Sequence, residues 1–381
     1  MATRLPSAPP VLGGFTYVRP LGTGGFADVF LFEQNLPRRP VAVKVLLKDI
    51  VDEGLLRMFN AEADVMARLS SHPSILTVYE ASISADGRPY LVMEYCPTSL
   101  TTRYRREAIP VAEVLQLSIK IASPLETAHR SGLLHRDIKP SNILVTTFGA
   151  PVLSDFGIAA AVSGRTGADE VFAMSVPWSA PEIVDERIPG SIAAEVWSLG
   201  ATVYSLLAGR SPFERAGSGQ NTREQLKTRI RRAVYTPVGR ADVPPRLEAA
   251  LARAMSKDPA LRHGSAAEFA YDLQLVQHEM GLAHTPMDVA VDEWATAGAA
   301  IDFADDRQRG PVRPSVAYPS RRAGRAAPTP TRRAPDDGTV LAGAEPARRR
   351  PAGLRIGLWA GGAALAVSAI VTAVVLIVGG R

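Results

Sequence analysis

The chain has 381 residues, 46% hydrophobic and 21% charged, with a formal net charge of +5. This is the composition of a globular protein with a substantial core, and the length exceeds one average domain. The single cysteine, Cys96, excludes an internal disulfide and fits a reducing compartment.

The first ten residues hold no apolar run, so no signal peptide is expected. Up to about residue 90 the patterning is mostly that of strands, with alternation over 41–46 and 90–94. Between those runs, Leu55, Met58, Phe59, Val65, Met66 and Leu69 are spaced as one helix face and predict a helix over 55–69. After Pro97 the balance turns helical, with helices predicted over 111–131, 194–207, 247–255 and 266–280. A small strand-rich lobe followed by a larger helical one is an α+β layout, and the lobes should meet near 93–97. No internal repeats are visible.

Residues 283–355 are rich in Pro, Ala, Arg and Asp and poor in large apolar side chains. Such a stretch buries too little to offset ordering entropy and reads as a disordered juxtamembrane linker. Residues 356–378 carry no charge, and as a helix would span about 34 Å, enough for a hydrocarbon core of about 30 Å. A transmembrane helix is expected there. The arginines before it, including Arg348, Arg349, Arg350 and Arg355, outnumber Arg381 after it and put the N-terminal side in the cytoplasm. No extracellular sensor domain is then expected. Those arginines have no interleaved aromatics, so they suit a membrane surface and not nucleic acid.

Three motifs carry chemistry. Leu21-Gly22-Thr23-Gly24-Gly25-Phe26-Ala27-Asp28-Val29 lies between strand-like runs, and glycines let backbone N–H groups approach phosphates. Alone it reads as a hairpin turn; it gains meaning from Lys44 in Val41-Ala42-Val43-Lys44. His135-Arg136-Asp137-Ile138-Lys139-Pro140-Ser141-Asn142 then puts an acid, a base and an amide on one loop, with Asp155-Phe156-Gly157 a short hairpin away. This set suits a hydroxyl attacking a phosphoryl group held by magnesium.

In order and spacing these motifs resemble the bacterial eukaryote-like serine/threonine protein kinases, over residues 14–282. The resemblance implies a bilobal fold with ATP and Mg2+ as cofactors. It assigns Leu21 through Val29 to the loop over the phosphates, with Ala27 in place of the third glycine, and counts Ala42 with the nucleotide site. Lys44 would hold the α- and β-phosphates, oriented by Glu62 in preference to its rivals Glu53 and Asp64. Met93 would be the gatekeeper, and the backbone of Glu94 and Cys96 would pair with the adenine edge. Asp137 would accept or steer the proton of the attacking hydroxyl, Lys139 would neutralise the transferred phosphoryl group, and Asn142 with Asp155 would hold magnesium. His135, His72 and His129 take structural places, and Glu182 is expected to pair with a buried Arg262.

The chain departs from the family pattern at Met174-Ser175, at Trp178 and at Glu195, the last standing where the family has Asp. Arg136 beside Asp137 implies control by the activation segment. Its answering charge is a phosphate, with Thr166 as the autophosphorylation site and Ser163 the other hydroxyl, or a built-in carboxylate from Asp169 or Glu170. Thr339, flanked by Asp336 and Asp337, is a candidate for phosphorylation and reading by a forkhead-associated domain. Gly357, Gly361, Ala364, Ser368 and Thr372 offer a seam for a homodimer in the membrane. Heavy use of Arg and Ala points to a GC-rich, actinobacterial genome. The expectation is a membrane-tethered kinase acting on Ser/Thr hydroxyls of cytoplasmic proteins, and the runner-up a pseudokinase scaffold; neither the substrates nor the activating signal can be read.

Overall fold

A computed structural model describes residues 4–48, 51, 53–156, 176–217 and 219–289. The chain divides into two units, Met1–Ile301 and Asp302–Arg381, and every described residue belongs to the first. Gly157, Ser163, Thr166, Asp169, Glu170, Met174, Ser175, Thr339 and the span 356–378, each given a role above, lie outside the described residues. Among the described residues no helix is long and apolar enough to cross a membrane.

Strands β1 (Phe15–Thr23), β2 (Ala27–Asn35), β3 (Arg38–Leu46), β4 (Val78–Ile83) and β5 (Pro89–Glu94) form one antiparallel sheet in the order β1-β2-β3-β5-β4. Alternation gives the sheet two apolar faces. Phe30, Phe32, Val41, Val43, Val45 and Val92 cluster on one, joined by Leu12. Ala27, Leu46 and Leu91 lie on the other, against Phe59 and Ala63 of helix α1 (Glu53–Leu69). That helix begins two residues before the predicted start.

A second small sheet, β6 (Thr98–Ser99), β7 (Ile143–Val145) and β8 (Pro151–Leu153), joins the helical part. Its helices are α2 (Leu100–Arg106), α3 (Val111–Arg130), α4 (Pro181–Val184), α5 (Ile192–Ala208), α6 (Arg223–Arg232), α7 (Pro245–Ala254) and α8 (Ala266–Glu279). The predicted 111–131, 194–207, 247–255 and 266–280 match α3, α5, α7 and α8 to within two residues at each end. Helix α5 is apolar nearly all round and forms the centre of the core, with Trp197, Tyr204 and Val203 fully buried. Gly200 lets α7 approach: a Cβ there would lie 2.8 Å from the Ala254 Cβ.

Backbone bonds link the segment after α1 to β8: Leu76 N–H donates to Leu153 O (3.0 Å) and Leu153 N–H to Ser74 O (2.9 Å). Residues 283–289, assigned by composition to the linker, pack on the same region. The Asp288 N–H donates to Ser123 Oγ (2.7 Å), its carboxylate meets Lys120 Nζ (2.7 Å), and its carbonyl lies 2.6 Å from His72 Nε2.

Candidate active site

The glycine-rich segment is the end of β1, a turn and the start of β2, with Gly22 paired to Val29 and Thr23 to Asp28. The turn closes through Gly24 N–H donating to Ala27 O at 2.8 Å, and Phe26 O accepts from Leu47 N–H at 3.0 Å. A Cβ on Gly24 would meet the Ala27 carbonyl at 3.0 Å, so the position demands a minimal residue. Gly24, Gly25 and Phe26 are exposed, while Leu21, Thr23 and Val29 are half-buried. Asp28 behaves differently. Strand alternation places it with Phe30 and Phe32, opposite to Ala27 and Val29, and its carboxylate is fully buried against residues 4–7. Its side chain is therefore turned away from the face that carries Lys44.

Lys44 stands on β3 opposite Val29, and Ala42 stands opposite Met93 of β5. The Lys44 ammonium lies 2.7 Å from Glu62 Oε1 and 3.0 Å from Asp155 Oδ1. The structure thus selects Glu62 over Glu53, whose carboxylate lies beside Arg57. Burial opposes the charge on Lys44, but Asp155 and Glu62 outweigh it and hold the ammonium well above the ordinary lysine range. The Lys44 charge holds Asp155 below the usual carboxyl range, whereas burial pushes Glu62 upward. One cation facing two carboxylates leaves a site that favours a further positive charge.

Ala42 and Met93 are buried, and Leu21, Val29, Cys96 and Leu144 are half-buried against the same apolar core. Leu144 was not singled out from the sequence; its signal was its place two residues after Asn142, in a strand leading away from the loop. The Glu94 N–H is taken by the Thr77 carbonyl at 2.9 Å, which removes it as a donor to a ligand. The Cys96 thiol is pushed up to about 12, chiefly by burial with Glu94 adding to it, and so stays protonated at neutral pH.

The loop 135–142 is built from within. His135 is fully buried, its Nε2 lies 3.0 Å from the Ser154 carbonyl, and its ring packs on Phe156 at 4.6 Å between centroids. Burial lowers its pKa, as suits a packing residue. The Asp137 carboxylate accepts from Asn142 Nδ2 (3.0 Å) and pairs with Lys139 Nζ (2.7 Å). Asn142 Nδ2 also donates to the Asp137 carbonyl at 2.8 Å, so the amide clamps the residue at both ends. Arg136 and Asp155 both have positive φ, 68° and 55°, a conformation with a cost for side-chain-bearing residues that the surroundings must hold in place.

Glu195 supplies that hold at Arg136. It accepts from the Arg136 N–H through Oε1, while Oε2 lies 2.6 Å from His129 Nε2. The longer side chain that stands where Asp was expected still reaches the loop, steadied by a histidine that was assigned only to packing. Among the described residues, the buried Arg136 Nε and Nη1 have no hydrogen-bond partner. Farther away, Glu182 and Arg262 form the expected pair at 2.6 and 2.9 Å.

Asn142 and Asp155 offer hard oxygen donors, one amide and one carboxylate, which suit Mg2+ shared with phosphates and not a caged metal. Among the described residues no group of three or more His, Cys, Asp or Glu converges on a metal position.

Residues 15–273 match the family model described as protein kinase domain. The chain is similar to the serine/threonine-protein kinase PknK of Mycobacterium tuberculosis, 39% identical over 76% of this chain and 26% of the relative. It is 32% identical to the serine/threonine-protein kinase PknF of the same species, over 81% of this chain and 63% of the relative. The serine/threonine-protein kinase PrkC of Bacillus subtilis is 31% identical over 76% of this chain and 45% of the relative. The chain thus spans about a quarter of the length of PknK.

Proposed function

Because this chain belongs to the protein kinase family, we propose that it is a serine/threonine protein kinase that transfers the γ-phosphoryl group of ATP to protein hydroxyls. The observation that carries this reading is the Glu62–Lys44–Asp155 triad, found in one chain with the clamped Asp137. Bound ATP with Mg2+ supplies the electrophilic phosphorus and a leaving group whose charge the metal spreads. Everything else falls to the protein. Lys44 orients the phosphates, and Asn142 and Asp155 hold the metal. Asp137 steers a substrate hydroxyl and takes its proton as the new O–P bond forms and the bond to the β-phosphate oxygen breaks. Lys139, beside Asp137, answers the charge on the phosphoryl group in transit.

The test is transfer of label from γ-labelled ATP to the chain itself and to a Ser/Thr-rich acceptor protein. Replacing Lys44 by Met is expected to cut transfer by about 10²-fold or more, with labelled product on serine and threonine in the wild type. Equal labelling of the two proteins, or none in either, would refute the reading. Every phosphate- and metal-handling side chain is present, which leaves the scaffold alternative without an observation behind it.

The open nitrogens of Arg136 support a switch in which Thr166 or Ser163 becomes phosphorylated and answers them. Mass spectrometry of the wild type is expected to find phosphate at one of these residues that the Lys44→Met protein lacks; its absence from active enzyme would leave Asp169 or Glu170 in the role. The uncharged run 356–378 and the arginines before it support anchorage in the membrane with the kinase domain cytoplasmic, and its small residues support a dimer seam. Thr339 would serve forkhead-associated partners.

A further inference from the structure

Asp28 is the unexplained group in the glycine-rich segment: a carboxylate with no exposed surface, on the sheet face opposite to Lys44. Both of its oxygens are met from the chain ahead of β1. The Ser7 N–H donates to Oδ2 at 2.7 Å, and the Arg4 guanidinium pairs with Oδ1 while reaching the Gly24 carbonyl at 3.4 Å. Burial works against the charge on Asp28, yet the Ser7 amide and Arg4 hold its carboxyl below the ordinary range.

The segment is itself anchored. Arg88, buried in the turn between β4 and β5, donates to the Ala8 carbonyl (2.9 Å) and to Ser7 Oγ (3.3 Å), and is fixed in turn by Asp86 (2.8 Å). Leu12 is buried among Phe30, Phe32 and Val92. Residues 4–12 therefore run from a fixed point on the sheet to the tip of the glycine-rich turn.

We propose that residues 4–12 are a positioning strap for the glycine-rich loop, with Arg4 and the Ser7 amide acting through Asp28 to hold the loop where it closes on the phosphates of ATP. This rests on the kinase reading above, in which the loop covers those phosphates. Arg4 reaches the turn itself at the Gly24 carbonyl, so the fraction of molecules with the loop in place depends on the strap. Apparent nucleotide affinity falls in proportion to that fraction. Arg4 acts through Asp28, on the sheet face opposite to Lys44, so loosening it should weaken binding and leave the chemical step alone.

The experiment uses the full chain with Arg4→Ala, Arg4→Glu and Arg4→Lys, with steady-state kinetics in MgATP and hydrogen exchange over 22–29. Arg4→Ala and Arg4→Glu are expected to raise the KM for ATP by about 3- to 10-fold with kcat within about twofold. Exchange over 22–29 should quicken in both, and Arg4→Lys, which keeps the charge on Asp28, should stay near the wild type. A wild type that phosphorylates, with Arg4→Glu matching it in KM and exchange, overturns the strap alone. A wild type that neither binds MgATP nor transfers phosphate overturns the kinase reading, and the strap's function with it. A fall in kcat equal to the rise in KM, unrelieved in Arg4→Lys, also overturns the proposal, because it signals general damage to the lobe.

Discussion

Asparagine at position 137 is expected to lower kcat by about 10²- to 10⁴-fold, the usual worth of a positioned general base. The substitution is nearly isosteric, and the Asp137 side chain is about a third exposed, at 31%, so folding should survive it. An amide oxygen can still accept from Asn142, which holds the residue at 3.0 Å from Oδ2 and 2.8 Å from its carbonyl. What is lost is the proton acceptor and the charge that pairs with Lys139 at 2.7 Å. Nucleotide binding rests on other groups, so the KM for ATP should move by less than about threefold. Steady-state kinetics with labelled ATP, beside thermal unfolding, checks both halves. A kcat within tenfold of the wild type would show that Asp137 does not handle the proton.

The second large effect concerns stability. Arg262→Ala should cost about 3–5 kcal/mol, because it strands the Glu182 carboxylate in the interior. The Arg262 side chain is fully buried and makes two bonds to Glu182, at 2.6 and 2.9 Å. It also donates to the carbonyls of Ser256 (2.8 Å) and Ala193 (2.9 Å) and lies 5.0 Å over the Trp197 ring. Lysine cannot reproduce that planar fork, so Arg262→Lys should recover only part of the loss. Pairing Arg262→Met with Glu182→Gln should recover more, since neither partner is then a buried charge. Urea unfolding measures the cost, and on the thermal scale the loss is on the order of 10 °C. A cost for Arg262→Ala below about 1 kcal/mol would mean that Glu182 finds water or another donor.

The parts legible in the sequence are those where one physical requirement dominates. Helices α3 and α5 announce themselves because broad apolar faces must be buried, and 135–142 because few other tasks need that order of acid, lysine and amide. Helix α6 was passed over: it is strongly polar and buries only Leu226 and Ile230. A signal was present in Thr222 and Gln225, whose side chains form a capping box. Asp28 was grouped with the phosphate loop by its place in the motif. The two-residue period of β2 already put it with Phe30 and Phe32, away from Ala27 and Val29. Its partners Arg4 and Ser7 could not be read at all, because nothing local ties a short Pro-rich leader to a strand some twenty residues on. The role of His129 was hidden for the same reason: its contact with Glu195 spans 66 residues.

The packing of residues 283–289 has a mechanical corollary. Asp288 is knotted to His72, Lys120 and Ser123. Ser74 and Leu76, just past His72, are bonded to Leu153, two residues before Asp155. The same short stretch follows directly from the helix that carries Glu62. Residues 72–76 therefore couple Asp288 to both segments that carry the carboxylates of Lys44, Glu62 ahead of them and Asp155 beside them.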